Sequence, residues 1–131
     1  MGRLLIALGG AFALTLLAAG AATAQDATQG RTAFQANCAV CHMAVSNGHS
    51  MIGPNLWGIV GRRAASVAGF AYSPAMQHAN ITWTSDQLSA FIQAPAHVVP
   101  GTRMPFAGLH NPQQVAAIVA YLSSLHAPGA H

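Results

Sequence analysis

The sequence predicts a small all-α protein whose helices are joined by long loops. Apolar residues recur at helical spacing in the C-terminal half, and capping residues mark the starts of those stretches. No run shows the two-residue alternation of a half-buried strand. The chain has 131 residues, 53% of them hydrophobic, which is enough for one core.

Met1 to Ala24 reads as a secretory leader. Arg3 gives a short positive start, Leu4 to Leu17 is an apolar stretch, and Ala22-Thr23-Ala24 is a small-residue cleavage site. The reading divides the chain into a signal peptide, residues 1–24, and one domain, residues 25–131. The rival is a retained anchor, because Leu4 to Ala22 is uncharged and at about 1.5 Å per residue would span a bilayer. The Gly and Ala content and the clean cleavage site favour removal.

Asp26 with Gln29 resembles a capping box, so a helix is expected from about Ala27 to Asn37. From His42 to Ser73 the pattern is loop, punctuated by Gly48, Gly53, Pro54, Gly58, Gly61 and Gly69. Ser73 and Pro74 supply the N-cap and first position of a short helix to about Gln77. Thr84 with Gln87 repeats the capping pattern before Leu88, Phe91 and Ile92, and Pro95 ends that helix. Pro100 to Pro105 is irregular. Asn111, Pro112 and Gln114 start a last helix with Val115, Ile118, Val119, Leu122 and Leu125 on one face.

Composition removes several functions. Charged residues are 5% of the chain, against roughly a quarter in ordinary proteins, and lysine is absent. After the leader, Arg31, Arg62, Arg63 and Arg103 stand against Asp26 and Asp86, a net charge of +2. Nucleic-acid binding needs clustered Lys and Arg, and none occur. Catalytic carboxylate pairs are excluded by inventory.

Cys38-Ala39-Val40-Cys41-His42 carries the chemistry. Two thiols three apart, followed at once by an imidazole, is the spacing of covalent c-type haem attachment. Each cysteine can form a thioether with one vinyl group, and the imidazole can reach the iron from the same face. A thioredoxin-like pair would follow a strand, and a structural zinc site would need further Cys or His at short spacing. Neither context is present. One covalent haem is therefore expected, and it leaves no cysteine for a disulfide.

An electron carrier needs a second axial ligand, and a thioether there raises the potential. Met43 is too close to His42 to reach the opposite face. Met51 and Met76 suit packing. Met104, between Pro100 and Pro105 in a non-helical loop, is the favoured ligand, with His97 as the rival.

These landmarks resemble a class I cytochrome c of the mitochondrial and bacterial soluble type. The likeness runs through Gly30, Phe34, Cys38 to His42, Gly53-Pro54-Asn55-Leu56, Gly61-Arg62, Phe70 to Ser73, Ile81-Thr82-Trp83, Pro100 to Phe106 and Tyr121, without insertions. The resemblance implies a cytochrome c fold, with N- and C-terminal helices crossing at Gly30, Phe34 and Tyr121 and a third helix and loops around the haem. It implies that the Pro54 carbonyl accepts a hydrogen bond from His42, and that Tyr72, Trp83 and Arg62 hold the propionates. Thr102 and Met104 would line the opposite face. Phe91 stands where relatives commonly carry a tyrosine.

The resemblance implies a periplasmic monomer, not an enzyme, that carries single electrons between respiratory or dehydrogenase partners through His42/Met104-ligated iron. The alternative is a subunit or dedicated partner of a periplasmic oxidoreductase complex, held at the membrane only if the leader stays attached. An iron left open by Met104 would be a third, enzymatic reading. Where relatives ring the haem edge with lysines, this chain has Ala96, His97 and Arg103, so docking should be mainly apolar at neutral pH. The six histidines other than His42 would take the mature charge from +2 towards +8 on acidification.

Overall fold

Two helices, α1 (Ala18–Asn37) and α5 (Pro112–Ser124), cross at a glycine. A Cβ at Gly30 would overlap the Ala117 carbonyl oxygen and lie 2.7 Å from Tyr121 Cβ, so only glycine allows this approach. Phe34 and Tyr121 then pack with ring centroids 5.5 Å apart. The computed structural model describes residues 18–126, with side chains from Ala27 onward. Most of the leader reading lies outside the described residues.

Among the described residues α1 already runs from Ala18, well before Ala27, so Asp26 lies inside the helix and not at its start. Ala18 to Ala24 is alanine-rich, the residue type with the highest helix propensity, and no Pro or N-cap interrupts it. Among the described residues no helix is long and apolar enough to cross a membrane.

The other starts follow the capping residues. α2 (Pro74–Gln77) opens with Ser73 accepting from Met76 N at 3.1 Å, and α3 (Ser85–Gln93) with Thr84 accepting from Gln87 N at 3.2 Å. α5 opens with Asn111 accepting from Gln114 N at 3.1 Å. Each such cap contributes about 1 kcal/mol. Pro95 ends α3 but also opens α4 (Pro95–Val98), a short helix that the sequence reading missed. A proline forbidden inside one helix is well placed at the first position of the next.

The core lies between α5, α3 and the loops. Ile118 is fully buried, and Phe34, Trp83, Leu88, Val99, Val115 and Leu122 are nearly so. An isolated antiparallel bridge, Arg63 to Thr82, ties the long loop to the segment before α3. Trp83 N donates to Arg62 O, and Gly61 N to Trp83 O, each at 2.8 Å. After α4 the chain reverses in a β-turn, Thr102 N donating to Val99 O at 3.0 Å. Pro100 fixes its second residue, and Gly101 takes the φ of +88° that its third residue needs.

Candidate functional site

The end of α1 delivers Cys38, Cys41 and His42. Cys38 N donates to Phe34 O at 2.8 Å and His42 N to Cys38 O at 3.0 Å, so helical bonding continues through the motif. The His42 Nδ1–H donates to Pro54 O at 2.8 Å. That bond leaves the Nε2 lone pair free to ligate a metal. Burial lowers the His42 pKa, against the opposing effect of the Pro54 hydrogen bond, so the ring is held in its neutral form. Both cysteines are free, and burial with a contribution from Cys41 pushes the Cys38 thiol up to about 11. A thiol so strongly protonated is no thiolate nucleophile.

The two residues flanking Pro54 appear in the sequence only as landmarks, with no role assigned. A Cβ at Gly53 would fall on the imidazole ring, so the ring packs flat against backbone. Asn55 is buried, and its amide donates to Val45 O and Gly48 O, each at 2.8 Å. Its side-chain oxygen accepts from Trp57 N at 3.1 Å and from Val45 N at 3.3 Å. One side chain thus pins the loop that carries Pro54. A Gly-Pro-Asn run inside a long loop was the available signal, since a buried asparagine must find partners.

Arg62 lies on the same loop system. Its Nη1 donates to Trp57 O and its Nη2 to Asn55 O, each at 3.0 Å, while Nε is buried without a partner. Burial lowers its pKa. The Tyr72 hydroxyl accepts from Val67 N at 3.2 Å, and burial raises its pKa. Trp83 packs on Phe91 with centroids 5.1 Å apart.

Met104 approaches from the turn after α4. Its N donates to Thr102 Oγ1 at 3.3 Å, and its carbonyl accepts from Phe106 N at 2.9 Å. Arg103 Nη2 donates to Ala71 O at 3.1 Å, tying this loop to the Phe70–Tyr72 segment.

All of the site residues chosen from sequence line one cavity of about 460 Å³: Cys38, Cys41, His42, Pro54, Arg62, Tyr72, Trp83, Thr102 and Met104. That volume lies in the range of roughly 300–1,000 Å³ usual for cofactor pockets. Phe91, Ile92, Ile118 and Leu122 make much of the remaining wall apolar. Of the competing ligands, Met76 also lines the cavity, whereas His97 is exposed on α4 and does not. The residues fit a haem: two thiols and an imidazole on one wall, a thioether from another loop, and an orphaned guanidinium nitrogen suited to an anionic edge.

A family model described as cytochrome c matches residues 27–126. The chain is 39% identical to a cytochrome c2 of Blastochloris viridis over 120 residues, covering 90% of this chain and 94% of that protein. It is 42% identical to a cytochrome c of Chlamydomonas reinhardtii over 101 residues, 77% of this chain and 90% of the other. A cytochrome c2 of Rhodopila globiformis is 39% identical over 106 residues, 81% and 99% of the two chains.

Proposed function

This chain belongs to the cytochrome c family, and from that premise we propose that it is an exported electron carrier with His42 and Met104 as axial ligands. Members of the family are electron carriers, not enzymes, with one covalent haem c. When bound through Cys38 and Cys41, the haem supplies a one-electron iron couple. The single observation that carries the axial assignment is the cavity. His42 and Met104 come from segments far apart in sequence and line the same wall system, with the His42 tautomer set by Pro54.

The chain's own residues then have defined tasks. Pro54 orients the imidazole and raises its basicity as a ligand. Gly53 and Asn55 hold Pro54 in place. Thr102 positions Met104 through its backbone N–H. Arg62, Tyr72 and Trp83 neutralise or hydrogen-bond the propionates, which as bare buried anions would be costly. Phe91, Ile92 and Leu122 keep water from the iron.

The leader, residues 1–24, directs export to the periplasm and is removed, leaving residues 25–131 as a monomer that exchanges electrons with respiratory or dehydrogenase partners. Val40 and Ile52, 74% and 72% exposed on the cavity rim, support docking through apolar contact at neutral pH. The same residues support a second reading, a lasting association with one oxidoreductase complex, because permanent interfaces are more apolar than transient ones.

An absorption spectrum of the oxidised protein tests the ligand assignment. The weak red band of a thioether–ferric bond should be present, lost in Met104→Ala and kept in Met76→Ala. Its absence from the parent protein, or its survival in Met104→Ala, would refute the assignment. Intact mass of the native protein tests removal of the leader, and size-exclusion separates a free carrier from a complex subunit.

A further inference from the structure

Both Met104 and Met76 line the cavity, and an iron with His42 on one side needs only one of them. Met76 stands on α2, where residues three apart share a face. Ser73 is buried and Met76 and Ala79 are half-buried, while Pro74, Gln77 and His78 are exposed. Met76 packs against the apolar core. Two contacts set this short helix against the Met104 loop. A Cβ at Gly101 would lie 3.3 Å from Ala75 Cβ. Arg103 Nη2 donates to Ala71 O, just before the Ser73 cap, at 3.1 Å. The two methionines are also held alike. The Met76 N–H donates to Ser73 Oγ at 3.1 Å, and the Met104 N–H to Thr102 Oγ1 at 3.3 Å. Both of those hydroxyl residues line the cavity.

We infer that Met76 is a positioning residue for electron transfer. Its side chain fills the space beside Met104 and keeps water and small external ligands from taking that methionine's place on the iron. The inference rests on the electron-carrier reading and adds a residue to it. Methionine suits the task, because an unbranched chain with three rotatable bonds follows an irregular gap. The hydroxyls of Ser73 and Thr102 make the plug necessary. Each oxygen already accepts from a backbone N–H, and each keeps a proton to donate. A water needs about 10–15 Å³ of room and two to four polar partners. The hydroxyls supply partners, and only the Met76 side chain withholds the room.

What occupies that space decides what the iron does. Water there would solvate the ferric charge, which lowers the reduction potential. An external ligand there would replace the thioether and end its effect on the potential. The cavity has little use for an open iron. Among the described residues, its ionisable side chains outside the attachment motif are Arg62, Arg63, Tyr72 and Arg103. No carboxylate and no second histidine stands ready for acid–base work on a bound peroxide. Met76 thus closes a position for which this chain carries no chemistry.

The test is stopped-flow binding of imidazole to the oxidised, haem-loaded protein at about pH 8, where imidazole is mostly neutral. An Fe–S bond is exchanged for an Fe–N bond, and no electron moves. In Met76→Ala the red thioether band should remain, while binding becomes about tenfold faster and the reduction potential falls. Met76→Leu refills the space without sulfur and should bind within about twofold of the parent rate. Val115→Ala, in the buried core and outside the cavity lining, separates the plug from general loosening. It should lower the melting temperature and leave the binding rate at the parent value. A parent-like rate in Met76→Ala, or an equal acceleration in Met76→Leu or Val115→Ala, would overturn the inference. Absence of the red band from the parent, or its loss in Met76→Ala, would refute the axial reading instead.

Discussion

Replacing Gly30 by alanine sets two effects of opposite sign against each other. An alanine inside a helix is favoured over glycine by about 1 kcal/mol, so propensity alone makes Gly30→Ala stabilising. The tertiary structure reverses this. The new methyl group would overlap the Ala117 carbonyl oxygen, which belongs to helical backbone and cannot rotate away. It would also sit 2.7 Å from Tyr121 Cβ, where carbon atoms prefer about 3.5–4.0 Å. α1 must therefore move off α5, by about 1 Å, which loosens the Phe34–Tyr121 contact as well. Overpacking of this kind costs about 1–3 kcal/mol, and the rigid backbone obstacle places this case at the upper end. The net loss is about 2 kcal/mol, a fall of roughly 8–16 °C in the melting temperature of a domain this size. Circular dichroism melts of the haem-loaded protein measure it. Ala36→Gly, at an exposed position of α1, supplies the control, with a loss of about 1 kcal/mol from propensity alone. A Gly30→Ala protein that melts at or above the parent temperature would refute the close crossing of α1 and α5.

Other perturbations have equally definite outcomes. Cys38→Ala/Cys41→Ala, which prevents attachment, leaves about 460 Å³ of the interior to be filled. Its apolar walls, Phe91, Ile92, Ile118 and Leu122 among them, then lose the group they pack against, a large loss for a domain stable by about 5–15 kcal/mol. Far-ultraviolet dichroism should show loss of the native helix signal, and a cooperative helical melt would contradict it. Gly53→Ala pushes the imidazole off Pro54, so protons compete better for His42. The acid-induced loss of the low-spin spectrum should shift upward by about one pH unit; an unchanged midpoint would count against the contact. Tyr72 has its pKa raised by burial, so the folded state keeps a proton that the unfolded state releases first. Its contribution is present below pH 10 and is lost as pH rises through the folded value. Tyr72→Phe should flatten the alkaline decline in stability, and identical alkaline titrations of the two proteins would refute the attribution.

Much of the helix map was legible because caps and apolar periodicity are local. Ser73, Thr84 and Asn111 each occupy the N-cap that the sequence predicted, and α5 buries Val115, Ile118, Val119 and Leu122. The misses share a cause, which is competition between local signals. Asp26 reads as a helix start, yet alanines upstream extend α1 past it; Pro95 reads as a stop, yet it also begins α4. The site residues were legible as types and spacings. Two cysteines and a histidine in five residues have few other uses, and a methionine between prolines cannot be helical packing.

By itself, then, the sequence determined the helix starts, the attachment motif and the absence of lysine and of catalytic carboxylates, because these depend on neighbours in the chain or on inventory. Only the tertiary structure decided which groups share a wall. It drew Met104 and His42 to one cavity and left His97 outside it on α4. It gave Gly53 and Asn55 their work behind Pro54. Those juxtapositions depend on how loops close over distances that no local pattern encodes. They are fixed when α1 meets α5 at Gly30 and the apolar residues between the two helices close around one core.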